Sequence, residues 1–236
     1  MGDLYPSVGE VQANIPLYDS HCHLQLDPIF ENREEVLKNA SAVGVSVMAV
    51  CGVCPGEDWE RVLTLVRQYP DRIIANYGLH PWWIRKHITS GDNVSSGDWN
   101  YKLEELLLQN LKAGVGECGL DKNITSTTPL EEQESILLRH IQLARQYQRP
   151  LTIHCVGYRA KLLEILKREY QLSTKKNRSE RDRNPPLILH SCNSMPVDMV
   201  AQYCKINAPV YFSLSGGASA DKTIKLLQSI PRDVLL

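Results

Sequence analysis

The chain predicts an α/β protein, a (β/α)8 barrel of the TIM type that is incomplete at its eighth strand and final helix. Three observations predict it. Strand-like and helix-like segments alternate almost from end to end. Several strand-like runs end on a histidine or glutamate, the position that a barrel gathers at one mouth. No glycine-rich phosphate loop follows the first strand, which weighs against an open dinucleotide-binding sheet.

The elements follow in order. Leu17 to His21 reads as the first strand, continuing the short apolar run that precedes Asp19-Ser20-His21-Cys22-His23. An amphipathic stretch from about Glu31 to Val43 is the first helix, and Val45 to Cys51 the second strand. A helix over Glu57 to Tyr69, a strand over Arg72 to Leu79 and a helix over Trp99 to Gln109 come next, before the strand Lys112 to Glu117. The clearest helix is Leu130 to Gln148, where Leu137, Ile141, Ala144 and Tyr147 recur at helical spacing and Arg149-Pro150 stops it. Strand five, Pro150 to His154, leads to a helix over Arg159 to Tyr170. Strand six, Pro186 to His190, leads to a helix over Pro196 to Lys205. Strand seven, Pro209 to Leu214, leads to a helix from about Ala218 to Ser229, and Asp233 to Leu236 begins an eighth strand. Residues 1–16 are expected to be an N-terminal segment and 17–236 a single barrel domain.

Composition excludes several classes of function. With 43% hydrophobic residues in 236, the chain has ample material for a core. Neither a signal-peptide-like run nor about 18 consecutive apolar residues occurs, so the expectation is an intracellular protein, cytoplasmic or nuclear, with no membrane association. A net charge of -1 provides no global field for a polyanion, so a phosphate-bearing substrate must be held by local charge or by metal. Seven cysteines, an odd number in a chain this large, read as reduced thiols. Cys51-Gly52-Val53-Cys54 has redox-motif spacing but no second pair to complete a zinc site, and reads as incidental. Cys22, Cys118 and Cys155 adjoin candidate ligands and are expected to turn away from them into packing. The basic stretch Ser173 to Asn184 joins a helix to the next strand and reads as a solvated insertion on the face opposite the mouth.

Chemistry concentrates at the strand ends. Side chains alternate with period two along a strand, so His21 and His23 point the same way and can grip one metal ion. Glu117, His154 and His190 close three further strands. In a barrel all five converge.

Together with Gly78-Leu79-His80-Pro81, Val115-Gly116-Glu117-Cys118-Gly119-Leu120-Asp121 and Tyr211-Phe212-Ser213-Leu214-Ser215-Gly216, these motifs make residues 17–236 resemble the TatD-type metal-dependent deoxyribonucleases of the amidohydrolase-like barrel superfamily. The resemblance implies a hydrolase of phosphodiester bonds in DNA, exonuclease-like, using two divalent ions of zinc, manganese or magnesium. It further implies that His21 and His23 hold the first ion, that Glu117 is shared, and that His154 and His190 hold the second. Two ions about 3.5–4 Å apart would activate a water and stabilise both the attacking and leaving oxygens. By the same resemblance His80 and Asp121 line the substrate site and, with Glu117, are the catalytic candidates. DNA is the expected substrate partner, no obligate protein partner is evident, and the complete family fold is expected to be monomeric.

Other residues carry weaker readings. Asp19 either fixes the imidazole of His21 or caps local amides. Trp82 and Trp83 offer faces for base stacking, one of them being expected to be simply packed. His87 and His140 are expected to be solvated. Two departures from the family stand out. Val156 replaces an arginine commonly found after strand five, with Arg159 nearby, and the aspartate that ends the eighth strand lies beyond Leu236, a role Asp233 does not fill. Hence the alternatives: a shortened, non-catalytic form with open edges at its first and seventh strands that binds metal or a protein partner, or a related metal-dependent ester or amide hydrolase.

Overall fold

The computed structural model describes residues 16–88, 98–171, 184–215 and 220–236. The stretches read as an N-terminal segment and as a basic insertion lie, but for Pro16 and Asn184, outside the described residues. The elements run β1 (Leu17–Cys22), α1 (Arg33–Ala42), β2 (Val45–Gly52), α2 (Glu57–Gln68), β3 (Ile73–Tyr77), α3 (Ile84–His87), α4 (Asp98–Gln109), β4 (Gly114–Asp121) and α5 (Leu130–Tyr147). They continue with β5 (Leu151–Val156), α6 (Arg159–Gln171), β6 (Leu187–Leu189), α7 (Val197–Tyr203), β7 (Val210–Phe212) and α8 (Ala220–Ser229).

The seven strands form one parallel sheet in sequence order, each paired with its chain neighbour. Helices must therefore carry the chain back between strands, and the apolar stripe of each determines where it settles. In α2, Trp59, Val62 and Leu65 are buried at helical spacing, each such burial being worth about 1.5–3 kcal/mol. Asp58 in its first turn accepts from the amides of Val53 (2.7 Å) and Cys54 (3.3 Å), tying the loop after β2 to the helix. α5 packs on β4 and β5 through Ile136, Leu137, Ile141, Leu143 and Ala144 and ends at Gln148 in the left-handed region, immediately before Arg149 and Pro150.

All eight residues of β4 are buried. The strand lies in the middle of the sheet, and its glycines allow its neighbours unusually close. Gly119 pairs with His154, and a Cβ there would collide with the His154 carbonyl at a φ of +151° that side chains rarely adopt. Absence of that Cβ lets β5 carry His154 against β4.

Four expectations need correction. β4 continues to Asp121, four residues past Glu117, because the parallel pairing with β5 persists that far. Residues 233–236 do not make a regular strand: Arg232–Val234 is a 3-10 turn with Asp233 exposed, and a single parallel bridge joins Leu235 to Phe212 of β7. His140 is not solvated but completely buried on the core face of α5. His87 ends α3 half-buried, with no hydrogen-bonding partner for Nε2 among the described residues.

Candidate metal centre

The strands bring the proposed ligands to one point. Glu117 is buried, and its two oxygens face different histidines. Oε2 lies 3.2 Å from His21 Nε2 and 3.3 Å from His23 Nε2. Oε1 lies 2.6 Å from His190 Nε2, 3.1 Å from His154 Nδ1 and 3.5 Å from His80 Nε2. One carboxylate thus divides five imidazoles into a pair and a trio. The pair comes from β1 and the residue after it, and their Nε2 atoms are 3.3 Å apart with rings edge to face. His21 also stacks on His190, centroids 4.0 Å apart and planes within 2°.

Such crowding is hard to explain by hydrogen bonding alone. Among the described residues, Glu117 Oε2 and His190 Nε2 are buried without a partner in hydrogen-bonding geometry, although imidazole and carboxylate nearly touch. Nitrogen lone pairs and carboxylate oxygens aimed at a common point repel one another unless protons or a metal cation lie among them, and a metal ion serves all of these groups at once. The donor set, imidazoles around a carboxylate, fits a divalent ion of the zinc, manganese or magnesium kind. The groups close enough to hold one are His21, His23 and Glu117 on one side, and His80, Glu117 and His154 on the other.

Protonation states sharpen the second group. The amide of Trp82 donates to His80 Nδ1 at 3.2 Å, so the ring proton of a neutral His80 is on Nε2. That nitrogen then presents an N–H, not a lone pair, toward Glu117. Burial pushes the His80 pKa down to about 3, with Glu117 opposing it only in part, so the neutral form holds at neutral pH. His80 is therefore a hydrogen-bond donor into the site, and His190 is the better complement to His154 and Glu117. Burial likewise lowers His190 despite Glu117. For Glu117 itself burial raises the pKa, but His154, His190, His21 and His23 outweigh it and hold the carboxyl well below its usual range.

Around these groups is a ring of fixed partners. Asp121 Oδ2 lies 3.2 Å from His154 Nε2 and accepts from the Trp82 indole N–H at 2.7 Å, while Oδ1 accepts from the Asn123 amide at 2.8 Å. Burial raises the Asp121 pKa, but these donors more than reverse it. Trp82 is exposed; Trp83 is half-buried, with Lys86 over its ring. Asp19 accepts from the backbone amide of His21 at 3.0 Å, the capping role and not the imidazole one. Arg159 opens α6 after Val156 ends β5.

Several participants were not anticipated. Cys51, read as incidental, has its Sγ 3.3 Å from His21 Nδ1. Gln133, on the buried face of α5, accepts from the Asp121 amide (2.7 Å) and donates to the Asp121 carbonyl (3.1 Å). His140 accepts the Leu79 amide on Nε2 at 3.0 Å and bonds the Ile136 carbonyl through Nδ1 at 2.7 Å, fixing the residue before His80. For Gln133 and His140 the signal was phase, since both fall on the apolar stripe of α5 where a polar group must be bonded.

The family model described as TatD related DNase matches residues 18–236. An uncharacterized metal-dependent hydrolase of Mycoplasma pneumoniae is 26% identical over 93% of this chain and 78% of its own length. The 3'-5' ssDNA/RNA exonuclease TatD of Dickeya dadantii is 29% identical over 64% of this chain, which spans only about half, 53%, of that relative. In fold, the chain is similar to the TatD homolog YJJV of Escherichia coli, with a TM-score of 0.74 at 24% identity over 93% of this chain and 76% of that one.

Proposed function

The chain belongs to the family of TatD-related DNases, and we propose that it is a metal-dependent hydrolase of phosphodiester bonds acting on DNA, with the exonuclease mode named for its relative from Dickeya dadantii. The observation that carries this reading is the division of one buried carboxylate between the His21 and His23 pair and the His154 and His190 pair. Two divalent ions are the proposed cofactors, the first held by His21, His23 and Glu117, the second by Glu117, His154 and His190. When bound, they would supply Lewis-acid stabilisation of a phosphoryl group and activation of a water.

The residues supply the rest. Glu117, ionised by its surroundings, is the anion that would be shared between the two ions. His80 keeps a proton on Nε2 and donates it as a hydrogen bond to a phosphoryl oxygen; a pKa of about 3 makes it a poor general acid at neutral pH. Asp121 holds the proton of His154 on Nε2 and so turns the Nδ1 lone pair toward Glu117. Trp82, anchored by Asp121, offers an aromatic face at the entrance. No described helix is long and apolar enough to cross a membrane.

The test is metal analysis followed by nuclease assays on single- and double-stranded DNA with added zinc, manganese or magnesium, beside Glu117→Gln. Metal-dependent cleavage abolished in the variant supports the reading. Bound metal without cleavage of any nucleic acid, or equal cleavage by the variant, overturns it.

A further inference from the structure

We propose that Cys51 is a positioning residue that fixes the tautomers of both imidazoles of the first cation site; the inference rests on the metal reading above. Two different atoms of this one residue meet the two rings. The Cys51 carbonyl oxygen lies 2.9 Å from His23 Nδ1, and its Sγ lies 3.3 Å from His21 Nδ1.

A carbonyl oxygen only accepts, so His23 Nδ1 must carry the ring proton of the neutral form and leave its Nε2 lone pair free. A thiol can accept or donate, and its other neighbours decide which. Asn76 Nδ2 donates into the same sulfur at 3.5 Å, and the Ala49 carbonyl lies 3.8 Å away, where it can receive the S–H. With its proton directed to Ala49, the sulfur has lone pairs left for Asn76 and for His21. His21 Nδ1 is then the protonated nitrogen. Both Nε2 lone pairs consequently face Glu117 Oε2, as a shared cation requires.

The arrangement is held in place. Gln25 Nε2 donates to the Cys51 carbonyl at 2.8 Å and to Asp58 Oδ2 at 3.0 Å, which ties the residue to the start of α2. Cys51 is 0% exposed, so a side chain that fills its place without an acceptor leaves no room for water at the sulfur's position. Without it, the neutral His21 ring loses the acceptor for Nδ1–H and its proton is free to move to Nε2, the position the cation needs. His23 keeps its acceptor, because that acceptor is backbone.

Valine and serine separate positioning from packing. Cys51→Val fills the space but accepts nothing; Cys51→Ser accepts but fills less. The readouts are zinc affinity by chelator competition and the tautomers of His21 and His23 by nitrogen-15 NMR of the metal-free protein. Expected results are an affinity lowered about 10–100-fold in Cys51→Val, with His21 shifted toward the Nε2–H form and His23 unchanged, and recovery of both properties in Cys51→Ser. Should Cys51→Val not fold, Cys51→Ala is read in the same way. Wild-type affinity in the folded valine or alanine variant, or His21 still protonated on Nδ1, overturns the proposal. A wild-type protein that binds no zinc, manganese or magnesium would instead sink the metal reading, while the tautomer measurement would still decide the role of Cys51.

Discussion

The indole N–H of Trp82 donates to the carboxylate of Asp121 at 2.7 Å, and the same Oδ2 lies 3.2 Å from His154. An exposed aromatic beside the site is thus anchored, one carboxylate away, to a proposed metal ligand, and 61% of Trp82 remains open to solvent. Base stacking on such a platform is worth about 1–3 kcal/mol per base. Trp82→Ala is therefore expected to weaken binding of a short single-stranded oligonucleotide by that amount, and Trp82→Phe by less, as read by fluorescence anisotropy. Unchanged affinity in Trp82→Ala would remove the platform from the site.

Metal should stabilise the fold through Glu117. At a thousandfold excess over Kd, a bound ligand raises stability by about 4 kcal/mol. Chemical denaturation with and without zinc should show a gain of that order in the wild-type chain and almost none in Glu117→Gln. An equal gain in both would mean that the ion binds elsewhere.

Acid should act through His140. Burial lowers its pKa from 6.5 to about 4, so between those pH values the unfolded chain binds more protons than the folded one. Its contribution to stability is complete above about pH 6.5 and is lost as pH falls toward 4, amounting to about 3 kcal/mol. Urea unfolding at pH 7, 5 and 4 should show the wild-type chain losing about that much more than His140→Gln. Parallel losses in the two proteins would contradict the assignment.

Gly119→Ala should be severe. Its Cβ would strike the His154 carbonyl, and the backbone there has φ +151°. Either β5 moves away or the pairing breaks, so a loss of more than about 4 kcal/mol is expected, with metal affinity falling alongside. Thermal unfolding checks it: a variant as stable as wild type would show that β4 and β5 tolerate separation.

Much of this architecture was legible before any coordinates. The proposal of His21, His23, Glu117, His154 and His190 rested on strand parity and on where strand-like runs end, both local properties of the chain, and the structure brings the five together although β4 runs on past Glu117. His140 and Gln133 were misjudged or missed because their chemistry drew attention away from their phase on α5, and phase determines burial. Cys51 was hidden for a different reason: its contact with His21 spans β1 and β2 and depends on side-chain geometry that alternation alone does not specify. The protonation of His80 was equally out of reach, since it depends on the amide of Trp82 turning back in the 3-10 turn that Pro81 opens. Asp121 was proposed for the site, but its place within β4 depends on the pairing of that strand with β5.

The stacking of His21 on His190 joins the first strand to the sixth, five places apart in the sheet. Neither ring can find the other until the intervening strands have rolled up. An ion seated at Glu117 would then work as a clasp on that curvature, and its uptake would report that the distant parts of the chain had come together.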